Sequence, residues 1–236
     1  MTHDIVLLEG DGIGPEISKA VTKIIDATGV KINYHRYIVG IQALEKYGVL
    51  IPDDVFEAIA RIREKSDIPL VFLTYINPVF YYGYDKFFAK CKELDICGII
   101  SPDLPYDEKD EILDVATEND VDVISLVAPT SKERIQMIAS EATGFIYVVS
   151  SLGVTGMRSN IRTDLKSILE DIKEVTDVPA AVGFGINTPE QAENISKIAD
   201  GVIVGSAIVN IIAEHGENAK EPLVKYVKSM KDAISK

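Results

Sequence analysis

An α/β fold is what this sequence predicts, on three observations. Short runs rich in β-branched residues alternate with amphipathic helical stretches, giving about eight βα units. Neither a linker, a charge block nor a low-complexity segment interrupts the alternation. The last two units each end their strand in glycines and open into a helix, the arrangement that forms phosphate sites in (β/α)8 barrels. Closure into a (β/α)8 barrel is therefore expected over an open doubly wound sheet. A chain of 236 residues with 47% hydrophobic content suffices for one such core, so a single barrel over 1–236 is expected.

Taken in order, the first strand falls at 5–8, followed by the loop G-D-G-I-G-P-E and an amphipathic helix over 16–27 that Gly29 ends. Residues 31–39 read as the second strand. A short helix over 41–47 is broken by Gly48, and Pro52-Asp53-Asp54 starts another that reaches residue 65. Strands follow at 68–75, 96–101, 121–127, 145–149, 178–182 and 202–204. Helices are expected over 84–93, 108–117, 131–140 and 164–175, and after each of the last two strands. Pro102-Asp103-Leu104-Pro105 stops the fourth strand.

Composition narrows the function classes. A net charge of −13 argues against a nucleic-acid-binding surface. No apolar run approaches the roughly 20 residues that span a bilayer, and the first residues are no secretory leader, so a cytoplasmic protein without membrane association is expected. Cys91 and Cys97 read as buried reduced thiols rather than a redox or metal pair. His3, His35 and His215 show no ligand spacing, so no metal site is expected. Asn194-Ile195-Ser196 matches a glycosylation acceptor that the cytosol would not use. The strand at 145–149 carries no lysine, which argues against Schiff-base chemistry there.

The stretch 180–208 is where a phosphate would be held. Gly183 and Gly185 flank Phe184, with Asn187 or Thr188 as helix N-cap, and Gly205 with Ser206 precedes a helix starting near Ala207. Glycines let an oxyanion approach main-chain N–H groups, two helix dipoles present positive ends, and the Ser206 hydroxyl adds a donor. The earlier G-D-G-I-G-P-E loop is a poorer candidate for a dinucleotide, because Pro15 stands where a third glycine would be.

From Asp54 onward the chain resembles the alpha subunit of tryptophan synthase, over roughly three quarters of its length. The matching stretches are I-P-L-V-F-L-T-Y-I-N-P-V-F, I-I-S-P-D-L-P, L-V-A-P-T-S, F-I-Y-V-V-S-S-L-G-V-T-G, A-V-G-F-G-I and V-I-V-G-S-A. The resemblance implies a barrel that cleaves indole-3-glycerol phosphate to indole and glyceraldehyde 3-phosphate. It implies no cofactor for the chain itself, and a pyridoxal-phosphate beta subunit as partner. It places Gly156, Phe184, Gly185, Gly205 and Ser206 at the phosphate, Tyr147 by the glycerol moiety and Tyr75 near the indole. Asn77, Pro78 and Phe80 match a loop at the subunit interface, and Asp103 an aspartate that communicates with the beta subunit; a turn or N-cap carboxylate is the plainer reading of Asp103. Ser151 stands where many members have an arginine, a departure within the lid segment 150–160.

The amino terminus differs. The stretch D-I-V-L-L-E-G-D-G-I-G-P-E-I-S-K-A-V-T-K-I-I-D-A-T-G-V-K, continued by A-L-E-K-Y-G-V-L-I-P-D-D-V, resembles the isocitrate and isopropylmalate dehydrogenases. A hybrid is expected, engineered or a natural or gene-model fusion. Residues 1–53 would supply a dehydrogenase-like βαβ fragment in place of the first two units, and 54–236 the alpha-subunit-like portion. Family members end the second strand in an E-L-G-x-P-F-S-D-P type motif with the carboxylates that retro-aldol cleavage needs. Here that strand, K-I-N-Y-H-R-Y-I-V-G, has none. Glu9 and Asp11 lie after the first strand, where Asp11, Gly12, Gly14 and Pro15 are more simply read as shaping a turn. The catalytic residues are thus unassigned. The expected function is binding of indole-3-glycerol phosphate with impaired cleavage, the alternative being a chimera that holds phosphate without activity.

Overall fold

The computed structural model describes residues 2–8, 31–37, 51, 53–149, 161–183 and 185–235. The helices expected over 16–27 and 41–47 lie outside them. Two compact units are formed, one from residues 1–68 and 75–94 and the other from 69–74 and 95–236.

In the first unit, β1 (Thr2–Leu8) and β2 (Lys31–Tyr37) pair in parallel, from Thr2 opposite Lys31 to Leu8 opposite Tyr37. Parallel neighbours cannot be joined by a hairpin, so the intervening chain crosses over, as the sequence pattern requires. Helices α1 (Asp53–Arg63), α2 (Ile76–Tyr82) and α3 (Tyr84–Glu93) complete it. Gly83 joins the last two in the left-handed region at φ 93, and its N–H donates to the carbonyls of Val79 and Phe80. Phe56, Val79, Phe87, Phe88 and Cys91 are buried. Phe56 meets Tyr82 with ring centroids 5.4 Å apart, and Phe87 meets Phe88 edge-on at 5.4 Å. The Arg63 guanidinium donates to the carbonyls of Leu94 and Ile68, tying off the end of α1.

The second unit holds β3 (Leu70–Leu73), β4 (Ile96–Ile100), β5 (Asp122–Val123), β6 (Ser125–Val127), β7 (Ile146–Val149), β8 (Ala180–Gly183) and β9 (Gly201–Val202). Its helices are α4 (Asp110–Glu118), α5 (Lys132–Ser140), α6 (Ile161–Lys173), α7 (Pro189–Ser196), α8 (Ser206–His215) and α9 (Lys220–Ile234). Every strand pair is parallel, in the orders β3-β4-β5 and β6-β7-β8-β9. The strand expected over 121–127 is split at Ile124, whose N–H donates to the Ile99 carbonyl at 2.9 Å. Strands next in sequence are therefore neighbours in space throughout.

Strand alternation sorts the faces of β7 and β8. Ile146, Val148, Ala180 and Val182 are buried in a cluster with Ile135, Leu165, Ile168, Leu169 and Ile172 from α5 and α6. Tyr147 and Ala181, opposite one another in the register, face the other way. Among the described residues, no helix is long and apolar enough to cross a membrane.

Candidate functional site

The cradle predicted at 183–206 is built from the ends of β8 and β9. Gly183 closes β8, and the side chain of Tyr147 on β7 lies directly over it: a Cβ at residue 183 would overlap the Tyr147 hydroxyl and ring. Only glycine lets that ring cross β8. Burial pushes the Tyr147 hydroxyl above the ordinary tyrosine value, so it stays a neutral donor at physiological pH. Phe184, next in the chain, lies outside the described residues, as does Gly156.

Gly185 and Gly205 are glycines for different reasons. Gly185 has φ 81, where other residues are strained, and a Cβ there would stand in open space. Gly205 has φ −118, open to any residue, and a Cβ would again meet nothing. The fold itself gives no reason for glycine at 205; close approach by something outside the chain does. Gly205 is the N-cap of α8, without a side-chain cap, and Ser206 is the helix's exposed first residue.

The helix after β8 is finished differently. Thr188 is its N-cap, accepting from the Gln191 N–H at 3.3 Å, and Gln191 Oε1 accepts from the N–H groups of Asn187 at 2.9 Å and Thr188 at 3.2 Å. This capping box satisfies donors that the sequence reading left for an anion. The T-P-E-Q pattern carried that signal. The start of α8 is thus the better anion site of the two.

Tyr75, expected near an indole, is the N-cap of α2 in the first unit and 65% exposed. The segment with Asn77, Pro78 and Phe80, expected as a loop, is helix α2, with Pro78 in its first turn where no amide donor is needed. Asn77 is exposed, and Phe80 is 57% exposed beside Tyr81 and Tyr84. Asp103, also exposed, sits in a turn closed by Leu104 N–H to the Ser101 carbonyl, not at a helix N-cap: Pro105 holds that position for the 3-10 turn Tyr106–Glu108.

A cavity of about 470 Å³ opens between the loop after β4 and α5, lined by Leu104, Tyr106, Leu126 and Arg134 among others. Its charged groups are already engaged: Arg134 donates to both Asp107 oxygens, holding that carboxyl below its usual range, and Lys109 pairs with Glu141. Among the described residues no cluster of histidine, cysteine, aspartate and glutamate could hold a metal ion.

Comparison with known proteins accounts for this arrangement. The profile of the tryptophan synthase alpha chain matches residues 41–235, and that of isocitrate/isopropylmalate dehydrogenase matches residues 4–68. The tryptophan synthase alpha chain of Lacticaseibacillus casei is 47% identical over 180 residues, 76% of this chain and 68% of that one. That of Thermoanaerobacter sp. (strain X514) is 46% identical over 196 residues, 82% and 74% of the two chains. Tryptophan synthase subunit alpha from Campylobacter jejuni superposes with a TM-score of 0.66 at 31% identity, covering 98% of this chain and 93% of that one. A chain of the tryptophan synthase complex from Pyrococcus furiosus gives 0.69 at 27% identity, covering 98% and 97%. These likenesses assign the parallel strands to an α/β TIM-barrel fold. With a profile spanning most of its length and relatives near half identical, the chain belongs to the tryptophan synthase alpha chain family.

Proposed function

We propose that the chain binds indole-3-glycerol phosphate by its phosphate end, between the turns after β8 and β9, and cleaves it poorly or not at all. The observation that carries the binding half is Gly205: a glycine with an ordinary φ and open space over it, at an uncapped helix N-terminus beside Ser206. The family membership supplies the substrate. Gly156, Phe184 and Gly185 complete the cradle in this reading, Tyr147 donates to the glycerol hydroxyls, and Tyr75 lies along the indole. The impaired chemistry is supported by β2, whose residues Lys31–Tyr37 include no carboxylate. Breaking the glycerol carbon bond needs a base at the hydroxyl and an acid at the indole carbon. In this reading residues 1–53 are a dehydrogenase-like replacement and 54–236 the alpha-subunit portion, and the overlap of the two profile matches at 41–68 contains the junction.

Titration of indole-3-glycerol phosphate into the protein, by calorimetry, tests the binding half. Ser206→Ala is expected to weaken binding roughly five- to tenfold, the loss of one hydrogen bond to a charged group. Equal affinity for the two proteins would remove the cradle from the reading.

A pairing with a tryptophan synthase beta subunit is supported by a second set of observations. Asn77 and Phe80 on α2, and Asp103 in the turn after β4, are exposed, and Phe80 is a large aromatic in an exposed group with Tyr81. The Pyrococcus furiosus relative is itself part of a tryptophan synthase complex. Sedimentation of the chain with a beta subunit tests this; separate boundaries at micromolar concentration would exclude a stable pair.

A further inference from the structure

Among the described residues, Ser101 is the buried polar side chain, 5% exposed at the end of β4. A hydroxyl taken out of water costs free energy unless it is hydrogen-bonded, and alanine would fill the same space without that cost. The hydroxyl is used on a side chain, not the main chain: Ser101 Oγ donates to Asp103 Oδ1 at 2.9 Å. Asp103 itself is exposed, so the bond contributes little to the core and a great deal to the direction of one surface carboxylate.

The rest of the loop is braced to the same end. Leu104 N–H closes the turn onto the Ser101 carbonyl at 3.2 Å, and Pro102 and Pro105 restrict the backbone on either side of Asp103. Further on, Asp107 is held by the Arg134 guanidinium at 2.6 and 3.1 Å, and Lys109 by Glu141, fixing the loop to α5. Each surface pair alone is weak. Together with the turn they leave the Asp103 side chain as the part of the loop whose rotamer must still be set, and Ser101 sets it.

We infer that Ser101 is a positioning residue that presents the Asp103 carboxylate, already oriented, to N–H or cationic donors on a partner protein. The inference rests on the reading that Asp103 faces the beta subunit, and it adds the group that makes that contact selective. Orienting the carboxylate beforehand removes the rotamer cost of ordering it on binding, which corresponds to a roughly three- to tenfold gain in affinity.

The experiment has two arms, on the full chain. Side-chain α–β proton couplings of Asp103, by NMR, report one rotamer in the parent protein and averaging in Ser101→Ala, with Ser101→Thr restoring the single rotamer. Titration against a tryptophan synthase beta subunit then compares the parent, Ser101→Ala, Ser101→Thr and Asp103→Asn. Expected are weakening by three- to tenfold for Ser101→Ala, recovery with Ser101→Thr, and a loss at least as large for Asp103→Asn. Unchanged couplings in Ser101→Ala overturn the positioning role. Binding unaffected by Asp103→Asn, or absent in the parent, overturns the partner reading and leaves the couplings to judge Ser101 separately. Loss with Asp103→Asn but parent-like affinity in Ser101→Ala overturns the inference alone.

Discussion

Replacing Gly183 by alanine would drive a methyl group into the hydroxyl and ring of Tyr147. Either the ring leaves β8 or the strands part, and overpacking of this kind costs about 1–3 kcal/mol. Urea unfolding of Gly183→Ala, Tyr147→Ala and the double variant should show coupling of about 1 kcal/mol or more, because removing the ring removes the obstacle. Additive losses would mean that the two residues do not share the space. Cys91 gives a second expectation at this scale. It is fully buried, and burial pushes its thiol up from 9.0 to about 12. The unfolded chain therefore releases this proton first, so stability is full below pH 9 and falls as pH rises from 9 toward 12, by about 1.4 kcal/mol per unit from this one group. Comparison with Cys91→Ala isolates it: the variant's stability should decline less steeply over that range. The sequence announced the glycines and the buried thiol, because composition and spacing carry them. It was silent on Ser101 and on the ring over Gly183, since both depend on which residues adjacent strands bring into register.

The elements followed hydrophobic period closely where tertiary packing agreed with it. α3 occupies its expected range, and Ser131 caps α5 through its hydroxyl, accepting from Arg134 N–H. The departures have local causes. Asn-Pro at 77–78 reads as a turn, yet proline in a first helical turn removes no bond, and α2 forms. The run 121–127 is uniformly apolar enough to look like one strand, but pairing passes from β4 to β7 at Ile124 and splits it. The box that starts α7 offers a direct check. Thr188→Ala is expected to cost about 1 kcal/mol in urea unfolding, as loss of a threonine cap does. A change within a few tenths would mean that Gln191 alone caps the helix.

For the whole molecule, the alternation of strand and helix, the glycine turns at its end and the motifs from Asp54 onward sufficed to read the family, and the match over 41–235 bears that reading out. What the sequence could not deliver is how the amino-terminal segment joins the fold, because the pairing of β1 with β2 uses backbone groups that any extended pair offers. The proposed division of labour, an anchoring half retained and a chemical half lost, belongs to this scale. It is tested most directly by indole release from indole-3-glycerol phosphate at concentrations where calorimetry finds the site filled. The account predicts a rate indistinguishable from buffer. Indole formed above that background would contradict it, and would require an acid and a base from outside the second strand.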